Sequence, residues 1–318
     1  MSKDSGEDGD RSARALAARA AWLSHVGGMT QDQIAVELGI SRQRAQRLVA
    51  RAAAEGLIRI RIDHPLADCL ELERRLKRRY ELNSVRVAPA LGATADPTHG
   101  LATFTAPLFE KLVSEEVPQV FALGTGRTLN TIVDQMQAVD GAHHKLVSLI
   151  GNVSPDGSAS FYEVIMKLAE KVGATYYPMS APVVARTDEE MALYRSLPHV
   201  KSARALAEHA DVALVGIGQM GADAPLFVDG FISEPELLEL QRAGAAGEIC
   251  GHVFDADGVL IDHPLNHRMV GVFPSVSAMR VMCIGGGEKK IPALRAALGG
   301  GLMSDLVTDE RTAQALLK

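Results

Sequence analysis

The chain has 318 residues, of which 47% are hydrophobic and 4% aromatic, and its formal net charge is −6. This length exceeds one ordinary domain and suits two domains of unequal size. No run of 18 apolar residues or apolar N-terminal signal segment is present, and the three cysteines lie far apart without a CxxC pair. These features argue against a transmembrane or disulfide-stabilised protein and predict a cytoplasmic one.

The N-terminal segment predicts a helix-turn-helix. Residues 1–10 are acidic and polar, which predicts a disordered tail. Further along, Thr30 and Gln33 have the spacing of a capping box at the start of a helix. Gly39 suits the left-handed conformation that ends this helix, and Ser41 is a good N-cap for the next one. A short helix, a glycine turn and a second helix are typical of a helix-turn-helix.

The second of these helices is basic, although the whole chain is acidic. Six arginines and a single acid, Glu55, lie between Ser41 and Ile62. Arginine and glutamine are the side chains that read guanine and adenine edges, so we expect this helix to enter the major groove of DNA. "LIRIRID" (57–63) alternates and predicts a wing strand. The alternative is a surface helix with solvated arginines. The predicted DNA-binding residues are Thr30, Gln31, Ser41, Arg42, Gln43, Arg44, Gln46, Arg47 and Arg51.

The segment after the wing predicts a helix with a narrow apolar stripe and a run of arginines and lysines. The basic run either contacts DNA or forms a solvated face. The predicted organisation is therefore a helix-turn-helix domain over 11–63, a linker helix over 64–84 and a larger domain over 85–318.

The larger domain alternates apolar runs with helical segments. Such alternation predicts an open, mostly parallel α/β sheet with helices on both faces. The apolar runs are "VFALG", "LVSLIG", "TYYPM", "DVALVGIG", "VMCIGGG" and "LVTD". The predicted helices span 101–117, 128–139, 160–173, 200–209, 233–243, 289–298 and 309–317. Ligands of such sheets bind at the carboxyl ends of the strands.

One glycine turn at a strand end has the form of an anion-binding loop. In "GTGRT" (124–128), Gly124 and Gly126 allow close approach of the backbone, Thr125 and Thr128 offer hydroxyls, and Arg127 adds charge. No GK[ST] follows, so it is not a Walker loop. The alternative is a plain strand-to-helix turn. "GIGQMG" (216–221) fits a GxGxxG string, but no helix follows it, and a flexible loop is predicted there.

Other charged residues in the larger domain are candidates for a ligand pocket. Lys289 or Lys290 of "GGGEKK" (285–290) could bind an anion as a point charge. Glu248 lies between apolar residues, where a carboxylate needs partners, and sugar hydroxyls would supply them. Asp257 and the following glycine predict a hairpin turn.

No metal site, cofactor site or catalytic nucleophile is predicted. The ten histidines form no ligand cluster, and His263 and His267 are separated by a proline that disfavours a shared helix face. No GxSxG sequence is present.

The sequence resembles the SorC family of bacterial sugar-responsive transcriptional regulators, over nearly the whole chain after residue 11. The resemblance rests on the helix-turn-helix segment, "LGTGRTL", "LIGNVS", "ADVALVGIG", "GAAGEICGHVFDADG", "GGGEKKIPALRAAL" and "LVTDERTAQALL". It implies a winged helix-turn-helix joined to a ribose-5-phosphate isomerase/NagB-like α/β effector domain. It also implies a sugar, polyol or sugar-phosphate effector and a homotetramer or homodimer on operator DNA.

Residue roles follow from the same resemblance. The anion loop corresponds to residues 124–128 and the pocket lysine to Lys290. Glu248 stands where the family usually has aspartate, which keeps the charge but lengthens the side chain. Ala45 and Gln46 replace the commoner valine and serine before Arg47, so the operator sequence does not transfer.

The leading hypothesis is a DNA-binding regulator, a repressor, of a carbohydrate or polyol catabolic operon, and not an enzyme. The alternative is a sugar-phosphate isomerase with Asp255 or Glu248 as base and Lys290 as electrostatic partner. A third possibility is a structural DNA-binding protein with a vestigial sugar domain.

Overall fold

The computed structural model describes residues 4–58, 67–92, 97–154, 157–158 and 164–318. The chain divides into two compact units, Met1–His64 and Pro65–Lys318. None of the helices among the described residues is both long and apolar enough to cross a membrane.

The N-terminal unit contains the helices α1 (Asp4–His25), α2 (Gln31–Leu38) and α3 (Arg42–Ala54). Helix α1 begins at Asp4, so most of the segment predicted as a disordered tail is helical. Acidic residues near a helix N-terminus are favoured by the helix dipole, which the composition argument did not weigh. The predicted wing, residues 57–63, lies outside the described residues from 59 onward.

The core of this unit is made mainly of alanines. Their small side chains let the three helices approach closely. The fully or nearly fully buried members are Ala17, Ala20, Ala21, Leu23, Ile34, Ala45, Leu48 and Ala52. Most of them recur three or four positions apart, as expected for one face of each helix.

Helix α4 (Ala67–Arg79) belongs to the larger unit and is not a free linker. Leu72 and Leu76 are buried in the main core of that unit. Strand β1 (Ser84–Ala88) follows, and the Glu73 carboxylate of α4 accepts a hydrogen bond from the Val87 amide at 3.0 Å. The sequence predicted a linker because the buried stripe is narrow and the opposite face is strongly basic.

The larger unit is built on a seven-stranded sheet in which every pairing is parallel. Its order is β1-β10-β9-β5-β2-β3-β4. The further strands are β2 (Val120–Leu123), β3 (Lys145–Val153), β4 (Thr175–Pro182), β5 (Val212–Gly216), β9 (Arg280–Ile284) and β10 (Asp305–Asp309). All six predicted apolar runs form strands, which confirms the predicted α/β sheet.

Helices cover both faces of this sheet. On one face, α4 packs with α9 (Pro198–Glu208), α13 (Ile291–Gly299) and α14 (Glu310–Leu316). On the other face lie α5 (Pro97–Leu112), α6 (Arg127–Gln135) and α7 (Val164–Val172). Helix α8 (Asp188–Ser196), which the sequence did not predict, precedes α9.

A small three-stranded sheet adjoins the ends of the main strands. It has the order β6-β7-β8 and is antiparallel, with β6 (Gly218–Gln219), β7 (Gly247–Ile249) and β8 (His252–Phe254). The short helices α10 (Pro225–Val228), α11 (Glu234–Arg242) and α12 (Pro264–His267) contribute to a separate apolar core beside it. The predicted flexible loop over "GIGQMG" is therefore partly a strand, because Gly218 and Gln219 pair with β7.

The strand order has a switch point between β2 and β5. From β2 the chain moves outward to β3 and β4, whereas from β5 it moves the opposite way to β9 and β10. Two neighbouring strands whose connections leave in opposite directions open a crevice at their carboxyl ends. The loops that follow β2 and β5 form the sides of that crevice.

Candidate effector site and DNA-binding surface

The helix-turn-helix is held by the local hydrogen bonds that its sequence predicted. The Thr30 amide donates to Gln33 Oε1 at 2.8 Å, and the Gln33 amide donates to Thr30 Oγ1 at 3.4 Å. Gly39 has φ 62° and ψ 37°, and the Ser41 hydroxyl accepts from the Arg44 amide at 3.3 Å. The capping box and both caps are confirmed, and the two hydroxyls predicted to contact DNA serve as helix caps.

Helix α3 separates an apolar face from a polar one. Ala45, Leu48 and Ala52 are buried. The polar residues predicted to read DNA are exposed at positions 42, 43, 44, 46 and 47. Alternation of buried and exposed positions at helical spacing leaves one continuous basic surface on the solvent side.

The arginines of α3 differ in their partners. Arg42 Nε lies 3.5 Å from the Asp32 carboxylate, and Arg51 pairs with Glu55. Arg47 Nε donates to the backbone oxygen of Gln43 at 3.4 Å. Within the described residues, neither Arg44 nor Arg47 forms an ion pair with a carboxylate. These two exposed guanidinium groups therefore have no carboxylate to offset their charge among the described residues.

In the larger unit, the "GTGRT" loop joins β2 to α6 at the switch point. The Gly124 amide donates to the Leu214 carbonyl of β5 at 2.9 Å, which ties the loop to the neighbouring strand. Gly126 caps α6 with φ 121°. Thr128 is buried in the first turn of α6, and Thr125 is half-buried beside Gly124. The loop is therefore a strand-to-helix turn at the carboxyl end of β2, and its binding of an anion stays a prediction.

Arg127, the first residue of α6, is already paired. Its Nη2 lies 3.1 Å from Asp229 Oδ1, and the Asp229 side chain is only 20% exposed. Asp229 follows α10, in the segment that begins after β6. The sequence analysis did not identify Asp229, because a contact over 102 residues leaves no local spacing signal.

Glu248 lies on β7, opposite Gly218 of β6. A side chain at position 218 would collide with the Glu248 carboxylate, so the glycine permits this close approach. Glu248 Oε2 accepts from the Gly251 amide at 2.8 Å. The pKa of Glu248 is raised by burial and by Asp229, while the Gly251 amide and Lys290 counteract the shift. Asp229 and Lys290 therefore lie close enough to Glu248 to act on it electrostatically.

The hairpin that carries Glu248 has a tight turn. Cys250 and Gly251 join β7 to β8, and both have positive φ, 51° and 81°. Two consecutive residues with positive φ are typical of a type I′ turn. A Cβ atom at Gly124 would lie 3.2 Å from Cys250 Sγ, so the tip of the hairpin lies next to the "GTGRT" loop.

The loop after β9 carries the two lysines. Lys289 pairs with Asp223, and Lys290 is half-buried at the start of α13. The loop is fixed by the end of β10, since the Gly287 amide donates to Asp309 Oδ2 at 3.1 Å and to Thr312 Oγ1 at 2.8 Å. Asp309 also accepts from the Thr312 amide at 3.0 Å, as the N-cap of α14. The sequence reasoning missed Asp309 and Thr312, although both lie in a motif that it singled out.

A cavity of about 100 Å³ lies on the β3 side of the "GTGRT" loop. Gly124, Thr125, Ser148 and Asn152 supply its polar groups, and Tyr176 borders it. The side-chain oxygen of Asn152 is buried and has no hydrogen-bond donor within the described part of the chain. A buried acceptor without a donor is costly, so a ligand hydroxyl would be favoured there.

Two other acidic candidates lie in a turn. Asp255 Oδ1 accepts from the amides of Asp257 at 3.0 Å and Val259 at 2.9 Å, and the Gly258 amide donates to the Asp255 carbonyl. The predicted hairpin turn is confirmed. The Asp255 carboxylate is therefore used to hold this turn. Among the described residues, no three histidine, cysteine, aspartate or glutamate side chains are grouped so that they could hold a metal ion.

Comparison with known proteins covers both units. The family described as "Putative sugar-binding domain" matches residues 64–318, and the MarR family matches residues 20–65. The erythritol catabolism regulatory protein EryD of Brucella abortus is 35% identical over 303 residues, 95% of this chain and 96% of that protein. The transcriptional regulator LsrR of Escherichia coli K12 is 33% identical over 309 residues, covering 95% and 94%.

Solved structures agree with this match. The full-length sorbitol operon regulator SorC from Klebsiella pneumoniae superposes with a TM-score of 0.73 at 26% identity, covering 96% of this chain and 98% of that one. A DeoR family transcriptional regulator from Listeria monocytogenes shares the fold of the larger unit, with a TM-score of 0.71 at 20% identity over 78% of this chain and 99% of that one.

Proposed function

We propose that this chain, which belongs to the SorC family of sugar-binding transcriptional regulators, represses a carbohydrate or polyol catabolic operon and is not an enzyme. The observation that carries the proposal is the presence in one chain of an exposed basic recognition helix and a charged crevice at a sheet switch point. The first is suited to operator DNA and the second to a small hydroxylated ligand.

The DNA-binding role rests on α3. Gln43, Arg44, Gln46 and Arg47 project from its first two turns, which is the part of a recognition helix that reaches base edges. Arg42 and Arg51 would contact phosphates, and such contacts position the protein without reading sequence. Operators of such proteins have two-fold symmetry when the protein binds as a dimer or tetramer, and we propose that this chain assembles in one of these ways.

The effector role rests on the ends of β2, β5, β7 and β9. We assign the "GTGRT" loop, Glu248 and Lys290 to this crevice, because Asp229 pairs with Arg127 and both Asp229 and Lys290 act electrostatically on Glu248. EryD is named for erythritol catabolism and the SorC structure for the sorbitol operon, which favours a polyol or a related sugar as the effector of this chain. Binding would bias one arrangement of the subunits and so change the spacing of the recognition helices.

The isomerase alternative loses one of its two candidate bases. The Asp255 carboxylate is occupied in the β8 turn, as described above. Glu248 stays in the crevice with Lys290, but an isomerase has no need of an exposed basic recognition helix. We therefore propose that Glu248 binds ligand hydroxyls and does not transfer protons.

The test compares two substitutions in the full-length chain, one expected to affect only operator binding and the other only the effector response. The operator would first be selected from fragmented genomic DNA by the purified protein. Arg47→Ala is expected to abolish specific operator binding and to leave effector affinity unchanged. Lys290→Ala is expected to leave basal operator binding and to remove the effector response, measured by gel shift with and without effector.

Arg242→Ala, an exposed arginine of α11, is the matched control and should change neither property. Equal loss of operator and effector binding in both test variants would refute the assignment of separate roles to the two units.

A further inference from the structure

We infer that the effector is an uncharged polyol or sugar and not its phosphate ester, because the cations of the crevice already have carboxylates as partners. This inference rests on the proposed effector role of the crevice. It concerns the charge of the ligand, which the family resemblance leaves open.

Among the described residues, the basic side chains at these strand ends are Arg127, Lys289 and Lys290, and each has a carboxylate near it. Arg127 pairs with Asp229 at 3.1 Å, Lys289 pairs with Asp223, and Lys290 lies within electrostatic reach of Glu248. A phosphate ester carries a charge of about −1.5 to −2 near pH 7. It would have to displace these carboxylates or bind beside them.

The basic side chain at the start of α6 has such a partner. A helix N-terminus attracts negative charge, which is why the "GTGRT" loop resembles a phosphate site. In this chain the Asp229 carboxylate bonds to Arg127, the first residue of that helix. The guanidinium beside the loop therefore has a carboxylate partner from within the protein, 102 residues away along the sequence.

The crevice also contains hydrogen-bond acceptors that a ligand could use. The buried oxygen of Asn152 has no donor in the described ranges, and it borders the cavity beside Gly124 and Thr125. Glu248, whose pKa is raised chiefly by burial, accepts from the Gly251 amide at Oε2, and a carboxylate can accept further hydrogen bonds. Ligand hydroxyls can donate to such acceptors, whereas the dianionic phosphate group of an ester brings only further acceptors.

The ion pairs of the segment between β6 and α11 also favour a neutral effector. Asp223 and Asp229 both lie on it, and they bond to loops that follow two different strands, β9 and β2. These two ion pairs hold the segment at both loops, and a phosphate would compete with the aspartates for the cations. A neutral ligand can enter without competing for either cation.

Calorimetric titration of the full-length chain tests the inference. The probes are inorganic phosphate and two matched pairs, erythritol with erythritol 4-phosphate and sorbitol with sorbitol 6-phosphate. We expect wild-type protein to bind inorganic phosphate more weakly than about 10 mM, and to prefer a polyol at least tenfold over its phosphate wherever either member of a pair binds.

Asp229→Asn should remove the carboxylate partner of Arg127 and increase affinity for inorganic phosphate at least tenfold. Asp223→Asn, at a more exposed position, is a second variant that frees Lys289 and should act in the same direction. Asp134→Asn is the matched control, because Asp134 pairs with Lys167 at 2.9 Å away from the crevice and should leave phosphate binding unchanged.

Tight phosphate binding by the wild type, or a polyol phosphate that binds better than its polyol, would overturn the inference. So would the absence of any gain in folded Asp229→Asn and Asp223→Asn proteins. Operator binding by the same preparations is measured in parallel. If it persists while the inference fails, the proposed regulatory function stands and only the charge of the effector is wrong.

Discussion

The basic residues of α3 and those at the strand ends of the larger unit differ in how their charge is used. Arg44 and Arg47 on α3 are exposed and have no carboxylate partner within the described residues. At the strand ends, Arg127 and Lys289 are each bonded to an aspartate. Unpaired surface cations attract a polyanion and release its counterions, whereas paired ones favour a neutral ligand that carries both donors and acceptors.

The largest effect that would test this difference is on DNA binding. Replacing Arg44 and Arg47 together by alanine should weaken operator binding by roughly 100-fold or more, since each good base contact contributes about 1–3 kcal/mol. Fluorescence anisotropy with labelled operator over a range of salt concentrations measures this. Wild-type affinity should fall steeply with salt, and the variant should show a shallower slope if either arginine contacts phosphates.

Effector binding should respond differently to salt. A neutral polyol displaces no counterions, so its affinity should change little over the same salt range. A steep salt dependence of effector binding would contradict this difference between the two regions, because it would show that the strand-end cations bind an anion as those of α3 do.

The next effect concerns pH and the hairpin behind Glu248. His252 is 8% exposed, its Nδ1 lies 3.2 Å from the Cys250 carbonyl, and its ring packs on Phe273. Burial, with smaller contributions from Arg204 and Arg195, lowers the pKa of His252 to about 4. The unfolded state binds this proton more readily than the folded state. The contribution of neutral His252 to the free energy of unfolding is therefore fully present above about pH 6.5 and falls by about 3 kcal/mol between pH 6.5 and 4.

Urea unfolding at several pH values measures the free energy of unfolding in this range. His252→Gln should flatten the dependence between pH 6.5 and 4. The exposed His209→Gln is the matched control and should leave it unchanged. An unaltered slope in His252→Gln would show that another group takes up the proton.

The difference between the two regions also decides how much could be predicted from the sequence. The helix-turn-helix depends on contacts three or four residues apart, such as Thr30 with Gln33, and these produce readable spacing. The strands were readable because buried parallel strands are short continuous apolar runs. Glu248 was singled out as a candidate because a carboxylate between apolar residues is unusual.

The parts that could not be predicted depend on long-range contacts. The pairing of Arg127 with Asp229 spans 102 residues, and the bond from Gly287 to Asp309 spans 22. Strand β1 was not recognised as an edge of the sheet, because its partner β10 lies more than 200 residues later. The partners that neutralise the strand-end cations were therefore hidden, and the sequence left open whether the ligand is phosphorylated.

A smaller effect concerns Asp309, which fixes the loop that precedes Lys290. Asp309→Ala removes the N-cap of α14 and one acceptor of the Gly287 amide, and should lower the free energy of unfolding by about 2 kcal/mol. Effector affinity should fall as well, because the lysine loop loses its support. Urea unfolding and calorimetric titration measure the two effects.

Thr187→Ala is the matched control for Asp309. Its hydroxyl caps α8 by accepting from the Glu190 amide at 3.2 Å, and α8 carries none of the proposed effector residues. Its loss should cost only about 1 kcal/mol and leave effector affinity unchanged. Equal effects of the two substitutions would mean that Asp309 acts as a cap alone.

The smallest effect separates backbone conformation from packing in the turn between α2 and α3. Gly39 has φ 62°, and a Cβ atom there would meet nothing within 4 Å, so Gly39→Ala should cost about 1 kcal/mol from the left-handed backbone alone. Gly299→Ala, in helix α13 with equally open surroundings but without positive φ, should be neutral or stabilising by about 0.5–1 kcal/mol. Urea unfolding gives both values.

Because the Gly39 turn also sets the direction in which α3 leaves α2, Gly39→Ala should weaken operator binding even where the protein stays folded. If operator affinity were unchanged, the turn could reach the same geometry with an alanine, and the presentation of Arg44 and Arg47 would not depend on this glycine.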